Sequence, residues 1–293
     1  MTARGSHRPS LRTLTKRALV ATLGDDRSIL VATSGGPDSQ ALLHVLATLR
    51  GDLGLELHAH GVDHGLRKEA AIELDLAEAL ARDLEVPFAR THVSVDRGGN
   101  LQARARDARY DALRRAARKA KATVLATAHH ADDRAETVLQ RLVRATSLGS
   151  LGVLPPRAGD LVRPLLGARK SDVELHLKRH ALAFAVDPSN ADPRFLRTRV
   201  RRELLPLLSS MNPRIVDHLC ALADEALDRD RSLELGKPTR DALYALIKNA
   251  AISPQKARKA AILLPGGLVL GVETPQAEAK HRRSKRALAR EES

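Results

Sequence analysis

The chain has 293 residues, of which 43% are hydrophobic and 2% aromatic, with no Trp, a single Cys and a formal net charge of +14. That length suffices for one large domain and a smaller one, and no apolar run approaches the roughly 18 residues of a membrane span. One cysteine, Cys220, excludes an internal disulfide framework, a Cys-rich zinc site and a catalytic Cys pair. The charge favours a polyanionic partner, nucleic acid first, although solvated Arg-rich faces give the same total; so few aromatics argue against a sheet that stacks several bases on Phe or Tyr.

Met1 to Arg12 carry charge with no continuous apolar segment behind it, which argues against a secretory signal and makes the cytoplasm the expected compartment. A short helix is predicted over about 10–23, with Leu11, Leu14, Ala18 and Leu19 on one face. Strands at about 28–33, 55–62, 88–95 and 122–128 then alternate with helices at about 38–49, 68–85, 101–120 and 131–144. Repeated β-α units with β-branched strands imply an α/β fold with a parallel sheet flanked by helices, and ligands on such sheets sit beyond the carboxyl ends of the strands.

The loops at those ends hold the unusual residues. After the first strand comes Ser34-Gly35-Gly36-Pro37-Asp38-Ser39. Two glycines allow close backbone approach, two serines offer hydroxyls, and the following helix points its unpaired N–H groups at the same spot, so the stretch suits a pyrophosphate. It matches neither the Walker A nor the dinucleotide pattern, and alone it reads equally well as a capped turn. The second strand ends in Gly61-Val62-Asp63-His64-Gly65-Leu66-Arg67 and the fourth in Ala128-His129-His130-Ala131-Asp132-Asp133. Turn formation and helix capping explain each separately, but their shared position at strand ends favours a functional reading. Adjacent residues on a strand point to opposite sides, so His129 and His130 are a poor transition-metal pair; a magnesium ion carried by phosphates and carboxylates fits better.

In the third long helix, most arginines are expected to be solvated, while Arg104 and Arg106 near its start are placed to reach a phosphate. Ser, Gly and Pro from Ser147 to Pro156 mark a loop, a helix follows at about 169–181, and Asp187-Pro188-Ser189-Asn190 forms a turn. Arg194, Arg197 and Arg201 then share one side of a helix, either as exposed charge or as a clamp for phosphates, the clamp being preferred for its nearness to Asp187 and Asn190. Helices are expected from about 212 to 250, a hairpin or single strand at about 265–272, and a basic tail with Lys280, Arg282, Arg283, Lys285, Arg286 and Arg290. Cys220 lies in a helical apolar pattern and is given no role.

Ser34 to Ser39 resembles the SGGxDS loop of N-type ATP pyrophosphatases, the PP-loop superfamily, whose members adenylate a carbonyl-type oxygen and release pyrophosphate. Within that group, Val62-Asp-His-Gly-Leu-Arg67, Asn100-Leu-Gln-Ala-Arg-Ala-Arg106, Ala128-His-His-Ala-Asp-Asp133 with Glu136-Thr137, Arg163-Pro-Leu-Leu166, Asp187-Pro-Ser-Asn190 and Arg197-Thr-Arg-Val-Arg201 look like the tRNA(Ile)-lysidine synthetase family. The likeness runs in order over about residues 28–206.

The resemblance implies an adenine nucleotide α-hydrolase-like, Rossmann-like fold followed by a smaller, mainly helical C-terminal region. It divides the chain into an N-terminal helical extension over about 1–26, a catalytic domain over about 27–210, a helical region over about 211–275 and a flexible basic tail over about 276–293. It implies an ATP- and Mg2+-dependent ligase that adenylates C2 of the wobble cytidine in a tRNA(Ile) with anticodon CAU and then lets the amine of free L-lysine displace AMP. Ser34, Gly35, Gly36, Pro37, Asp38 and Ser39 would bind ATP together with Asp63, Arg67, Arg104 and Arg106. Asp132, Asp133 and Glu136 would hold the lysine ammonium and steer its amine, His129 would sit near the reacting base, and Arg197 and Arg201 would complete the catalytic set; no residue is assigned as a dedicated metal ligand. No membrane partner is expected, and a homodimer is left open.

This chain departs from the family pattern at Gly61, Arg134, Ala145, Ser147, Ser150 and Thr198. The rival readings are another PP-loop adenylating enzyme, either a tRNA thiolase or an NAD- or GMP-synthetase-like amidotransferase, and a non-catalytic RNA-binding relative. A single cysteine counts against the thiolase.

Overall fold

The computed structural model describes residues 8–63, 69–94, 101–144, 148–185, 195–232, 261–263 and 269–271. The chain divides into two compact units, Met1–Leu227 and Asp228–Ser293. In the first, helices α1 (Leu11–Leu23), α2 (Pro37–Leu53), α3 (Glu69–Asp83), α4 (Leu101–Lys119), α5 (Ala131–Val143) and α6 (Lys170–Arg179) alternate with strands β1 (Ser28–Thr33), β2 (Glu56–Asp63), β3 (Phe88–His92) and β4 (Val124–Ala126) and with the two-residue strands β5 (Arg157–Ala158) and β6 (Leu161–Val162). Helices α7 (Leu196–Arg199) and α8 (Leu205–Met211) are joined by a π-helical turn, Val200–Leu204, and α9 (Ile215–Ser232) follows. In the second unit, β7 (Ala261–Leu263) and β8 (Val269–Gly271) pair antiparallel, with Ala261 opposite Gly271.

The strand order is β3-β2-β1-β4-β6-β5, with all neighbours parallel except the β5–β6 pair at one edge. The expected parallel sheet is therefore present, extended by β6 and β5, which were not expected as strands. The chain steps outward from β1 to β2 and β3, then returns to place β4 on the other side of β1. That reversal creates the switch-point crevice in which ligands of open α/β sheets bind.

Alternation along β1 separates the two layers. Ile29 and Val31 join Leu42, Leu46 and Leu49 of α2, Leu19 of α1 and Val173 of α6 in one apolar cluster. Leu30 and Ala32 join Leu113 and Ala117 of α4 in another. A third cluster packs Ala135, Val138 and Leu139 of α5 against Val200, Leu205, Val216 and Ala223. The apolar face of helix α5 thus packs on the chain that follows it.

Arg134, the residue that departs from the family pattern after the Asp pair, is buried in this third layer. Its Nε donates to the Val153 carbonyl at 3.0 Å and its Nη2 lies 2.7 Å from Asp224 of α9. Cys220 is half-buried beside it, with Sγ 3.4 Å from the Ala131 carbonyl, and burial pushes its thiol up to about 11. Gly61 is buried in β2, and a side chain there would meet Leu74 of α3.

Gly35 and Gly54 both have positive φ, at +75° and +61°, but differ in surroundings. A Cβ at Gly35 would collide with the Glu73 carbonyl of α3, whereas one at Gly54 meets open space. Gly54→Ala should cost about 1 kcal/mol, the left-handed backbone penalty alone, and Gly35→Ala distinctly more, because α3 must also move. Urea unfolding of the two variants measures the difference.

Candidate active site

Only Ser34, Gly35 and Gly36 separate the end of β1 from the start of α2, so the turn is tight. Gly35 supplies the left-handed residue and Gly36 is the N-cap, in extended conformation. The Ser39 hydroxyl accepts the Ser34 N–H at 3.2 Å and donates to the Gly36 carbonyl at 3.0 Å, with Ser34 Oγ 3.3 Å away. Ser39 therefore braces the loop from inside. Pro37 at the first helical position has no N–H, so the first turn presents the amides of Asp38 and Ser39, with the positive end of the helix dipole behind them. Buried Gln40 locks the loop to its surroundings through its Nε2, which donates to the carbonyls of Leu76 and Ala183, and the Ala185 N–H donates to the Gly35 carbonyl at 2.9 Å.

A cavity of about 370 Å³ opens beside this loop. Thr33, Ser34, Asp38 and Ser39 line it from β1 and α2, Val62 from β2, Glu73 and Leu74 from α3, Arg109 and Leu113 from α4, and Ala128, His129, Asp133 and Arg197 complete it. Two of its polar atoms, Thr33 Oγ1 and Asp38 Oδ1, are buried with no hydrogen-bond partner. The Asp38 oxygen is an acceptor that suits a donor or a cation, whereas the Thr33 hydroxyl can accept or donate. Burial raises the Asp38 carboxyl, opposed by His130, whose Nε2 lies 3.7 Å away.

Asp133 and Glu136 stand one turn apart on α5 and are both buried. Arg197 donates to Asp133 Oδ1 at 2.9 Å and to Glu136 Oε2 at 3.3 Å. Arg201 grips Glu136 with two hydrogen bonds, at 2.6 and 3.0 Å, and reaches Asp133 Oδ1 at 3.3 Å. Burial alone would raise Asp133, but His130, Arg197 and His129, with the His130 backbone N–H, hold it below the usual carboxylate range. Arg201 is raised despite its burial, because Glu136, Asp133 and Asp38 surround it. The arginines differ in access: the Arg197 side chain remains 53% exposed and lines the cavity, while Arg201 is 34% exposed.

His129 lines the cavity with its Nδ1 3.0 Å from Thr127 Oγ1. Burial lowers its pKa to about 4, against the pull of Asp133 and with help from Arg163, Arg109 and Arg106, so the ring is neutral at pH 7. Buried His130 caps α5 through a reciprocal pair with Asp133.

The remaining expected site residues are dispersed. Asp132 is turned toward α6, where Arg169 grips it at 3.2 Å through both Nε and Nη2 and the Lys170 N–H donates at 2.8 Å. Burial would raise its pKa, but these partners hold it low. Asp63 lies 3.3 Å from His92 Nδ1, beside the cavity-lining Val62. Arg104 and Arg106 are exposed on α4, the latter over the Tyr110 ring at 5.2 Å. Arg67, like Asp187, Asn190 and Arg194, falls outside the described residues.

The arginine of α4 that does reach the cavity is Arg109, one turn further on, where burial lowers its pKa. Its signal was in the sequence: Arg109 interrupts the apolar stripe of Ala105, Ala112 and Leu113. Arg169 was less legible, since its partner Asp132 is 37 positions away.

A tight Gly-rich turn at the N-terminus of α2, at the switch point of a parallel sheet and beside a polar cavity, is the arrangement of a nucleotide-handling α/β domain. The chain belongs to the PP-loop domain family, whose model matches residues 10–208. It is 42% identical over 191 residues to the tRNA(Ile)-lysidine synthase of Pseudomonas aeruginosa, covering 64% of this chain and 43% of that one. It is 43% identical over 215 residues to the enzyme of the same name from Rhodopseudomonas palustris, covering 71% and 62%, and 33% identical over 200 residues to that from Thermotoga sp. (strain RQ2), covering 67% and 48%. The chain thus spans about half the length of most of these curated relatives. Among solved structures, the U34-tRNA thiolase NcsA from Methanococcus maripaludis shares the fold with a TM-score of 0.63 at 19% identity, over 78% of this chain and 88% of that one. No helix among the described residues is long and apolar enough to cross a membrane.

Arg201→Ala leaves the buried Glu136 carboxylate to the weaker Arg197 contact. It should destabilise the protein by about 3 kcal/mol, the low end for a broken buried pair, and Glu136→Gln should cost less because the amide keeps its size without the charge. Chemical denaturation of both variants checks the order.

His129 carries a second expectation. Folded, it binds its proton only near pH 4, whereas the unfolded imidazole does so below its ordinary 6.5. Its contribution to stability is therefore intact above 6.5 and lost as pH falls toward 4. His129→Gln should flatten the fall in unfolding free energy across that window, measured by urea titrations at stepped pH.

Proposed function

We propose that this protein is an ATP-dependent tRNA(Ile)-lysidine synthetase of the cytoplasm: it adenylates C2 of the wobble cytidine in a CAU-anticodon tRNA(Ile) and joins the amine of L-lysine to that carbon, releasing pyrophosphate and then AMP. The observation that carries the reading is the clustering of Ser34–Ser39, His129, Asp133 and Arg197 around one cavity at the switch point. Its support from similarity is the lysidine synthase relatives at up to 43% identity.

In the first step the cytidine 2-oxygen attacks the α-phosphorus, and the bond to pyrophosphate breaks. The loop amides and the helix dipole of α2 take the leaving pyrophosphate, and half-exposed Arg197 supplies positive charge at the cavity wall. Asp133 and Glu136 hold that guanidinium in place. Asp38, with its unpartnered buried oxygen, suits the Mg2+ that accompanies ATP phosphates; the ion would neutralise phosphate charge. In the second step the neutral lysine amine attacks C2, the C2–oxygen bond breaks to release AMP, and the proton lost from the nitrogen passes to water or to the departing phosphate. Neutral His129 is suited to hydrogen-bond the base rather than to carry a proton at pH 7. Of the three acids expected to meet lysine, Asp133 is the one that lines the cavity, where the lysine ammonium would share it with Arg197 and Arg201, while Asp132 is turned toward Arg169 and Lys170. The +14 charge suits a tRNA partner.

Incubation with labelled lysine, ATP and total tRNA tests the reading. Label should enter only a CAU-anticodon tRNA, with one AMP released per lysine, and Ser39→Ala should slow incorporation by about 10²-fold or more because the phosphate loop loses its brace. Sulfur transfer to tRNA, or ATP-dependent amidation of a small molecule without lysine incorporation, would contradict it.

A further inference from the structure

Outside the cavity, three imidazoles meet where α2 packs on α6. His44 lies two turns into α2, His176 is in the last turn of α6, and His180 is the C-cap of that helix. One ligand nitrogen from each lies within 4.8 Å of the others, and this is the one cluster of three potential ligand side chains among the described residues. His44 Nδ1 is 3.0 Å from His176 Nε2, and the ring centroids are 5.0, 4.5 and 4.5 Å apart. His176 and His180, at four-residue spacing, share one face of α6.

We propose that His44, His176 and His180 bind one divalent transition-metal ion, zinc foremost, with water completing the coordination shell on the exposed side at His180. Imidazole nitrogens are the donors such ions select, and three of them with an open fourth position make a recognised tetrahedral set. A zinc–nitrogen distance of about 2.0–2.1 Å requires nitrogens roughly 3.3 Å apart. His44 and His176 already stand that close. Exposed His180 closes the remainder by a change of rotamer. Burial and the neighbouring His180 lower half-buried His44, and burial, His44 and His180 lower buried His176 to about 4, which favours neutral rings that a metal can bind once the proton shared between them moves to the other ring nitrogen.

None of the three lines the cavity. The ion acts instead on the frame. Helix α6 is anchored at its start by Asp132 and continues into Ala183 and Ala185, which hydrogen-bond Gln40 and Gly35 of the nucleotide loop. A metal joining α6 to α2 would stiffen both attachments of that loop. The site depends on no assignment of the reaction.

The full chain, without an affinity tag and stripped with chelator, would be titrated with Co2+ and then Zn2+. One equivalent of Co2+ should give the visible absorption of a tetrahedral site, be displaced by Zn2+, and raise the thermal midpoint. His44→Gln and His180→Gln should each weaken binding by about 10-fold or more, while His218→Gln on α9 should leave it unchanged. His180 is exposed, so its variant should fold even if a change at His176 does not. Absence of stoichiometric Co2+ binding, or equal binding by wild type, His44→Gln and His180→Gln, would overturn the proposal.

Discussion

Asp133 and Glu136 are carboxylates buried on one face of α5, and burial of two negative charges one turn apart is unfavourable unless cations meet them. Arg197 and Arg201 do so from a segment more than sixty residues further along the chain. The four groups therefore fix where the helical segment from Leu196 to Met211 sits against α5. They also fix one wall of the cavity. Their net contribution to stability is modest, since desolvation offsets most of the attraction; what the quartet supplies is position. The π-helical turn at Val200–Leu204 falls inside this segment and carries Arg201, an insertion of the kind that re-aims side chains at functional sites.

The Ser34–Ser39 turn shows a similar division between side chains that brace it and those that face the cavity. Ser39, a candidate ligand from its sequence, spends its hydroxyl on Ser34 and Gly36, and Gln40 ties the loop to α3 and to the chain beyond α6. What remains directed at the cavity is the first turn of α2 and Asp38. His130 and His129 are neighbours with different positions: one caps α5 while the other lines the cavity as a neutral ring. Asp132 and Asp133 divide similarly, the first securing the start of α6 and the second joining the cavity wall.

Much of this was legible in the chain. The strand-turn-helix at Ser34, the alternation of strands and helices through α5, and the 197/201 spacing all follow from local patterns, and the structure has them. Strands β5 and β6 were not legible, because two residues carry no periodicity and their pairing depends on β4. The separate fates of Asp132 and Asp133 were equally hidden, since they are decided by Arg169 and Arg197 at long range. Arg104 and Arg106 stand nearer the helix start, but the helical period turns Arg109 to the cavity.

The proposed reaction requires ATP in the switch-point cavity with its phosphates on the Ser34–Ser39 turn. A crystal structure with a non-hydrolysable ATP analogue and Mg2+ tests this most directly. The expected result has the β- and γ-phosphates against the Asp38 and Ser39 amides, the ion on Asp38, and Arg197 turned toward the α-phosphate. A nucleotide bound elsewhere, for example in the groove beside His60 and Arg115, with the Ser34–Ser39 turn empty, would contradict it.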